Sequence, residues 1–234
     1  MFNRTIINDL KHWKEQKDRK PLMMLGARQV GKTSVLKRFG RECFEHCVYF
    51  SLDEEAGVCD IFRTTKNPTQ IIEQLSYLTD EPILPEKTLL VLDEIQDCPE
   101  AISSMKYFCE KTPEYAIACA GSLLGLAFGH EGFSFPVGKV DHINMYPVTF
   151  SEFLEQKDSG LYRYYKSIDS IEPLPQVFFD RLSQAFTAYR ISGGMPEAAM
   201  KMIEVDMKGV ETKLQNILQD YTLDFVKHAT PQLA

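Results

Sequence analysis

Short apolar runs alternate with amphipathic segments along the chain as far as residue 150. Five runs have the length and the β-forming residues of strands, and they cover Pro21–Leu25, Cys47–Leu52, Thr88–Leu92, Tyr115–Ala120 and Val140–Met145. Continuous apolar runs separated by helical segments are typical of strands that are buried on both faces. The pattern therefore predicts an α/β fold with a five-stranded, mainly parallel sheet and helices on both of its faces.

The segments between and after these strands show helical spacing of apolar residues. In the first, Arg4–Gln16, the residues Ile6, Ile7, Leu10 and Trp13 share one face. Further helices are predicted directly after Gly31, over Pro68–Leu78 with Asn67 as its cap, and over Ala101–Glu110. From Phe150 onward the pattern becomes helical, with helices predicted over residues 151–155 and Val177–Tyr189, and again through Phe225 after a break at Gly193–Gly194. We expect a core with an N-terminal helix over residues 1–150 and a helical lid or second domain over residues 151–234.

One segment between the first strand and the next helix has the spacing of a phosphate-binding loop. Gly26-Ala-Arg-Gln-Val-Gly31-Lys32-Thr33 fits G-x-x-x-x-G-K-[ST] at every position. The glycines let successive backbone N–H groups point at a phosphate, and the positive end of the helix dipole adds to their attraction. A chance match is the alternative, but the strand before the motif and the helix after it make chance rare.

This motif predicts which residues bind the nucleotide. We expect Lys32 to reach the β- and γ-phosphates and the hydroxyl of Thr33 to be a ligand of Mg²⁺. The predicted nucleotide-binding residues are Gly26, Ala27, Arg28, Gln29, Val30, Gly31, Lys32, Thr33 and Ser34.

Two acids follow the third apolar run. Leu89-Leu-Val-Leu brings Asp93 and Glu94 to the carboxyl end of a strand, where ligands bind in open α/β sheets. We expect Asp93 to orient Mg²⁺ and Glu94 to act as the general base that polarises the attacking water. The alternative is that both acids only solvate a loop or cap a helix, and the phosphate loop earlier in the chain makes that alternative weaker.

Composition and charge narrow the class of protein. The chain is 44% hydrophobic and 25% charged, which is ordinary for globular proteins, and it has no apolar run near the roughly 20 residues of a membrane helix. Its opening, Met-Phe-Asn-Arg-Thr, does not resemble a signal peptide, so we expect a cytoplasmic protein with no membrane partner. The six cysteines lack CxxC spacing, and we expect reduced thiols.

The net charge of −7 conceals an asymmetry along the chain. Residues 1–41 hold 11 basic and 3 acidic residues, a balance of +8, whereas the other 193 hold 15 basic and 30 acidic, a balance of −15. The basic segment makes nucleic acid a candidate partner. The simpler interpretation is a solvated basic helix.

Five motifs together resemble the prokaryotic AAA-type ATPases that usually carry a C-terminal domain of unknown function. They are Gly26–Thr33, Leu89–Gln96, Ala120-Gly-Ser-Leu-Leu124, Tyr146-Pro-Val-Thr-Phe-Ser-Glu-Phe-Leu154 and Gly193-Gly-Met-Pro-Glu197. The resemblance implies an AAA+-like ATPase core, with ATP and Mg²⁺ as cofactors. Behind the core it implies a helical segment that could be of the winged-helix kind.

The resemblance also assigns individual residues. Ser122 occupies the polar sensor position after the fourth strand, where a hydroxyl could detect the γ-phosphate or the attacking water; the alternative is a turn residue beside Gly121. Lys139 stands where relatives often have Arg, so a role as a finger toward nucleotide is in doubt because Lys lacks the planar fork. Arg190 could reach the nucleotide from the lid. Relatives continue past Tyr221, and we expect a further C-terminal domain beyond Ala234.

Three functions are compatible with these motifs. The first is an ATP hydrolase that couples hydrolysis to movement of its helical region and a partner, and it could act as an oligomer. The second is a switch that signals by its bound ATP or ADP with negligible turnover. The third, a metabolite kinase, is weaker because it would not need Glu94 beside the metal acid. ATP is favoured over GTP because the chain has no Asn-Lys-x-Asp segment to recognise guanine.

Overall fold

The computed structural model describes residues 2–122 and 135–228, with side chains described as far as residue 223. Its sheet contains five parallel strands in the order β2-β3-β4-β1-β5. The strands are β1 Leu22–Leu25, β2 His46–Ser51, β3 Thr88–Asp93, β4 Ala116–Gly121 and β5 Asp141–Asn144. All five lie within or next to the apolar runs, so the predicted parallel sheet is confirmed.

The helices that belong to the sheet cover both of its faces. They are α1 Ile6–Glu15, α2 Lys32–Cys43, α3 Ala56–Thr64, α4 Pro68–Ser76 and α5 Pro99–Lys111, with a short 3-10 turn at Ile95–Asp97. Helix α2 packs against β2, β3 and β4 and also contacts α1, while α3, α4 and α5 pack against one another. The predicted cap of α4 is confirmed, because the side chain of Asn67 accepts a hydrogen bond from the Thr69 amide.

The strands supply apolar side chains to both layers of helices. Leu90, Leu92 and Ile117 belong to the cluster that includes Phe62 and Phe108 from the helices. The alternate residues Leu89 and Val91 are also fully buried. This explains why the strand runs are continuously apolar rather than alternating.

The remaining helices follow β5. They are α6 Phe150–Lys157, α7 Ser159–Lys166, α8 Gln176–Ser192, α9 Pro196–Ile203 and α10 Met207–His228. Residues 150–228 contain no strand, so this described stretch shows helices but no wing. The predicted helical region is therefore confirmed. No helix in the described ranges is long and apolar enough to span a membrane.

Contacts divide the chain into two compact units. The sheet unit consists of Ile6–Ala27 and Gly31–Met145, and the helical unit consists of Met1–Thr5, Arg28–Val30 and Tyr146–Ala234. The middle of the predicted phosphate loop thus groups with the helices. The domain boundary near residue 150 stays a prediction.

Two helices were not predicted. Helix α3 follows the acidic run Asp53–Glu55 and buries Val58, Cys59, Ile61 and Phe62 at helical spacing. Helix α7 buries only Leu161, and Asp158 caps it by accepting a hydrogen bond from the Leu161 amide. The helical spacing of the apolar residues could have predicted α3, whereas α7 has almost no apolar face by which to predict it.

Candidate functional site

The predicted phosphate loop leaves the carboxyl end of β1 and leads into α2. Strands β1 and β3 both pair with β4 in parallel, so their carboxyl ends lie at one edge of the sheet. Asp93 is the last residue of β3 and Ser122 follows β4 directly. The sheet therefore brings the loop, the acidic pair and Ser122 to the same edge, as expected for a ligand site in this type of fold.

Glycine is required at two positions of this loop. A Cβ on Gly26 would overlap the backbone oxygen of Met145, so close approach of two backbones excludes a side chain there. Gly31 has a φ of 94°, a left-handed conformation that favours glycine, and it is the N-cap residue of α2. Both glycines shape the turn from strand to helix.

Lys32 lies inside the loop that precedes it. Its side chain is only 7% exposed, and its ammonium group donates hydrogen bonds to the carbonyls of Gly26 and Ala27, each 2.9 Å long. The amides of the first turn of α2, which include those of Thr33 and Ser34, have no acceptor within a regular helix. One cation and several N–H groups therefore meet at the start of α2, which is the arrangement that a polyphosphate needs.

Thr33 and Asp93 are in direct contact. The hydroxyl of Thr33 donates to Oδ2 of Asp93 at 2.5 Å, and Oδ1 accepts the Glu94 amide at 3.0 Å. Asp93 is 4% exposed and lies on a fully buried strand. A carboxylate and a hydroxyl are hard oxygen donors of the kind that Mg²⁺ prefers, so this donor set fits that ion.

Glu94 has a strained backbone. Its φ is 48° and its ψ is 45°, a left-handed conformation that is uncommon for a residue with a side chain. Its carboxylate accepts a hydrogen bond from the Gln96 amide group at 2.6 Å. The chain turns at Glu94 directly after β3, and the hydrogen bond from Gln96 restrains its carboxylate. Sequence reasoning identified Glu94 but not the amide that holds it.

Tyr49 is a member of the site that sequence reasoning missed. Its hydroxyl donates to Oδ2 of Asp93 at 3.1 Å, and the ammonium of Lys37 lies 3.2 Å from the centroid of its ring. Burial raises the pKa of Tyr49 to about 12, and the charge of Asp93 adds to this while a hydrogen bond with Ser51 opposes it. The phenol therefore stays protonated, and stays a donor, at physiological pH.

The middle of the loop is held by the helical unit to which it belongs. Arg4 donates to the Val30 carbonyl at 2.9 Å, and Tyr221 donates to the Arg28 carbonyl at 3.1 Å. The side chain of Gln29, whose φ is 61°, donates to Asp220 at 2.6 Å. Two carbonyls and one side chain of the loop are thus fixed by partners that are distant in sequence, and the motif itself gave no sign of them.

The motif Tyr146–Leu154 has a structural role. Thr149 and Glu152 form a capping box at the start of α6, in which each side chain accepts from the other residue's backbone amide. Glu152 also accepts from Thr5 at 2.7 and 2.9 Å and forms an ion pair with Arg4 at 3.2 Å. One carboxylate therefore starts α6 and pairs with the arginine that holds Val30.

The Gly193–Glu197 motif is a turn between helices. Gly193 and Gly194 have φ values of 65° and 72°, and Pro196 is the first residue of α9. The carbonyl of Gly194 accepts the Val148 amide at 2.8 Å, and a Cβ on Gly194 would overlap the Val148 oxygen. The predicted inter-helix turn is confirmed.

Three other predicted residues have these positions. Ser122 is half-buried at the end of β4, and its neighbours Leu123 and Leu124 lie outside the described residues. Lys139 precedes β5 and pairs with Glu110 at 2.9 Å. Lys139 therefore lies at the amino end of β5, whereas the phosphate loop follows the carboxyl end of β1, the parallel strand beside it. These are opposite ends of the sheet, so Lys139 is remote from the phosphate loop of its own chain. Arg190 is exposed in the last turn of α8.

The chain is similar to several solved structures. Replication initiator DnaA bound to AMPPCP and single-stranded DNA is 15% identical, with a TM-score of 0.49, and the match covers 97% of this chain and 68% of DnaA. RuvB from Thermotoga maritima is 14% identical, with a TM-score of 0.48 and coverage of 86% and 60%. PCH-2 from C. elegans is 12% identical, with a TM-score of 0.44 and coverage of 89% and 67%. No curated protein matches the chain.

Similarity at these levels carries no function from those proteins to this one. The model described as AAA domain matches residues 18–154, which is more than half of the chain and includes the phosphate loop and both acids. The chain therefore belongs to the AAA domain family of P-loop ATPases.

Proposed function

We propose that this chain binds ATP together with Mg²⁺ and hydrolyses the bond between the β- and γ-phosphates. The observation that carries the proposal is the contact between the Thr33 hydroxyl and the Asp93 carboxylate at 2.5 Å, next to the buried ammonium of Lys32. Phosphate-binding and metal-binding groups are thus adjacent. A chance loop motif would have no reason to be paired with an acid from another strand.

The residues 26–34 are proposed to bind the phosphates. The backbone N–H groups of the loop and of the first turn of α2 would bind phosphate oxygens, and Lys32 would exchange its two carbonyl partners for the β- and γ-phosphates. Thr33 and Asp93 would hold Mg²⁺, the former directly and the latter through water. When bound, the ion supplies positive charge that offsets the charge developing on the phosphate oxygens.

Glu94 is proposed to be the general base. Its carboxylate would take a proton from a water molecule while the water oxygen bonds to the γ-phosphorus and the bridging bond to ADP breaks. ADP leaves with the electron pair of that bond. Ser122, at the same edge of the sheet, is proposed to contact the γ-phosphate or the water.

A Glu94→Gln variant tests this role. The amide cannot accept the proton, so the rate of steady-state phosphate release should fall by about 10²-fold or more, while ATP affinity stays unchanged. Glu100→Gln is the matched control, because this partly exposed glutamate lies on α5 rather than at the loop, and it should keep the wild-type rate. A Glu94→Gln enzyme as fast as a clearly active wild type would exclude Glu94 as the base.

A second function, a nucleotide-state switch with negligible turnover, is supported by one observation. Oε2 of Glu94 accepts a hydrogen bond from the Gln96 amide at 2.6 Å, so this oxygen is engaged in a contact within the protein. Near-zero phosphate release from both the wild type and Glu94→Gln, with tight nucleotide binding in each, would favour the switch.

For the macromolecular partner on which the ATPase would act, we propose only a class of molecule. Nucleic acid is a candidate because the first 41 residues carry a balance of +8. Several of these charges are engaged within the protein: Arg4 pairs with Glu152, Arg19 with Glu86, and Arg38 with Glu42. A binding assay over a range of salt concentrations would distinguish phosphate-driven association, which weakens steeply with salt, from other kinds. Assembly into an oligomer is likewise a proposal.

A further inference from the structure

Tyr49 and Asp93 lie on neighbouring strands in a register that brings their side chains together. Strands β2 and β3 pair in parallel, with Tyr49 opposite Val91 and Ser51 opposite Asp93. Residues two apart on a strand point to the same face, and so do paired residues on adjacent strands. Tyr49 is therefore on the same face as Asp93 but two residues earlier, a distance that a phenol can cover along the strand.

Asp93 accepts three hydrogen bonds from three different directions. Oδ2 accepts the hydroxyls of Thr33 and Tyr49, and Oδ1 accepts the Glu94 amide. The Thr33 hydroxyl comes from α2, the phenol from β2 and the amide from the turn after β3. Three donors on one carboxylate restrict its rotation far more than a single donor could.

Lys37 completes the arrangement from α2. It lies one helical turn after Thr33, and its ammonium is 3.2 Å from the centroid of the Tyr49 ring. A cation over the face of a phenol draws electron density from the ring, which strengthens the hydroxyl as a donor, and it also fixes the plane of the ring. The ring is thus held on one side by Lys37 while its hydroxyl holds Asp93.

We propose that Tyr49, supported by Lys37, is a positioning residue for the magnesium site, holding the Asp93 carboxylate in the orientation that the metal requires. This inference rests on the proposed function, since it assumes that Asp93 serves Mg²⁺. Groups that orient a metal-binding side chain commonly change metal affinity by 10- to 100-fold when they are removed. For removal of the Tyr49 hydroxyl we expect the lower end of that range, because the Thr33 hydroxyl and the Glu94 amide still donate to Asp93.

The test separates metal-dependent from metal-free nucleotide binding. A fluorescent ADP analogue is titrated with wild type, Tyr49→Phe and Lys37→Met in EDTA and then at increasing Mg²⁺. The Mg²⁺ concentration that produces half of the full change in affinity for the ADP analogue should be about tenfold higher in Tyr49→Phe than in wild type. In Lys37→Met it should rise by less. Affinity in EDTA should stay unchanged, because neither residue belongs to the phosphate loop. Tyr115→Phe is the matched control, since this tyrosine precedes β4 at the other end of the sheet, and it should titrate as wild type does.

Each other result has a distinct meaning. If Tyr49→Phe has the wild-type Mg²⁺ response, the inference is wrong and the proposed function stands. If it loses affinity equally with and without Mg²⁺, Tyr49 supports the fold of the site rather than the metal, and the inference is also wrong. If the wild type itself binds the ADP analogue without any response to Mg²⁺, both the inference and the proposed magnesium site fail.

Discussion

Gly26 and Gly31 shape the phosphate loop for different reasons. At Gly26 the constraint is space, because the backbone oxygen of Met145 occupies the position of a Cβ. At Gly31 the constraint is conformation, since its φ of 94° is left-handed and a Cβ there would only touch the side chain of Met145. A substitution at Gly26 must therefore move backbone.

Gly26→Ala should both destabilise the protein and weaken nucleotide binding. The added methyl group collides with a backbone atom that cannot rotate away, which should cost about 1–3 kcal/mol of the free energy of unfolding. The displaced loop should lose about one charge-assisted hydrogen bond to phosphate, or about tenfold in ATP affinity. Denaturant unfolding and nucleotide titration measure the two effects.

Gly57→Ala is the control for that substitution. Among the residues that the structure describes, none has an atom within 4 Å of a Cβ at Gly57, in the first turn of α3, so stability should stay the same or rise by about 0.5 kcal/mol. Wild-type stability and affinity in Gly26→Ala would contradict the close approach of Met145.

At this scale the sequence revealed local chemistry and missed distant partners. Lys32 and Thr33 were identified because a phosphate loop is contiguous, and Asp93 because it ends an apolar strand. Tyr49 and Tyr221 were missed because their contacts depend on strand register and on how a late helix packs. Neither property is encoded in a short motif.

Among the elements, α6 shows how a family motif can serve the fold. Glu152 is 3% exposed and combines the capping box with the ion pair to Arg4, which is itself 8% exposed. Burial lowers the pKa of Arg4, while the charge of Glu152 opposes this shift. Glu152 therefore offsets the cost of burying the charge of Arg4, and through Arg4 it also supports the carbonyl of Val30.

Glu152→Gln should destabilise the helical unit strongly. It keeps the size of the side chain but leaves the Arg4 charge buried without its partner, which should cost about 3 kcal/mol, the lower end of the range for breaking a buried ion pair. Denaturant unfolding gives this value. Glu155→Gln, one turn later on α6, should stay within about 0.5 kcal/mol of wild type because that residue is only partly buried. Equal stability of the two variants would contradict the account of Glu152.

Elements were predictable where the hydrophobic pattern was strong. Strands β3 and β4 were found because every residue of each is buried and their runs are almost entirely apolar, whereas the edge strand β5 is only partly buried and gave a weaker pattern. Helix α3 was missed because the acidic run Asp53–Glu55 is typical of a loop after a strand, and the helical spacing of apolar residues begins only after it. Helix α7 was missed because it buries a single residue, Leu161, and so has almost no apolar face.

For the whole molecule, charge along the sequence is a poor guide to charge on the surface. The basic first segment suggested a nucleic-acid partner, yet Lys32 is buried in the loop and Lys37 lies over Tyr49. Arg4 is buried with Glu152. Part of the positive charge of the first 41 residues is therefore engaged in contacts within the protein. The proposal of a nucleic-acid partner has correspondingly less support than the charge balance alone gave it.

The phosphate loop belongs to both compact units. Gly26, Gly31 and Lys32 group with the sheet, whereas Arg28–Val30 group with the helices through Arg4, Asp220 and Tyr221.

The measurement that tests the central claim most directly is the ATP affinity of Lys32→Ala in the presence of Mg²⁺. Removing the ammonium takes away a charged donor to phosphate, worth about 1.5–3 kcal/mol, so affinity should fall by about 10- to 100-fold. Lys17→Ala, an exposed lysine before β1, should bind ATP as wild type does. If Lys32→Ala is folded and also binds ATP with wild-type affinity, the loop does not bind a polyphosphate and the proposed function is wrong.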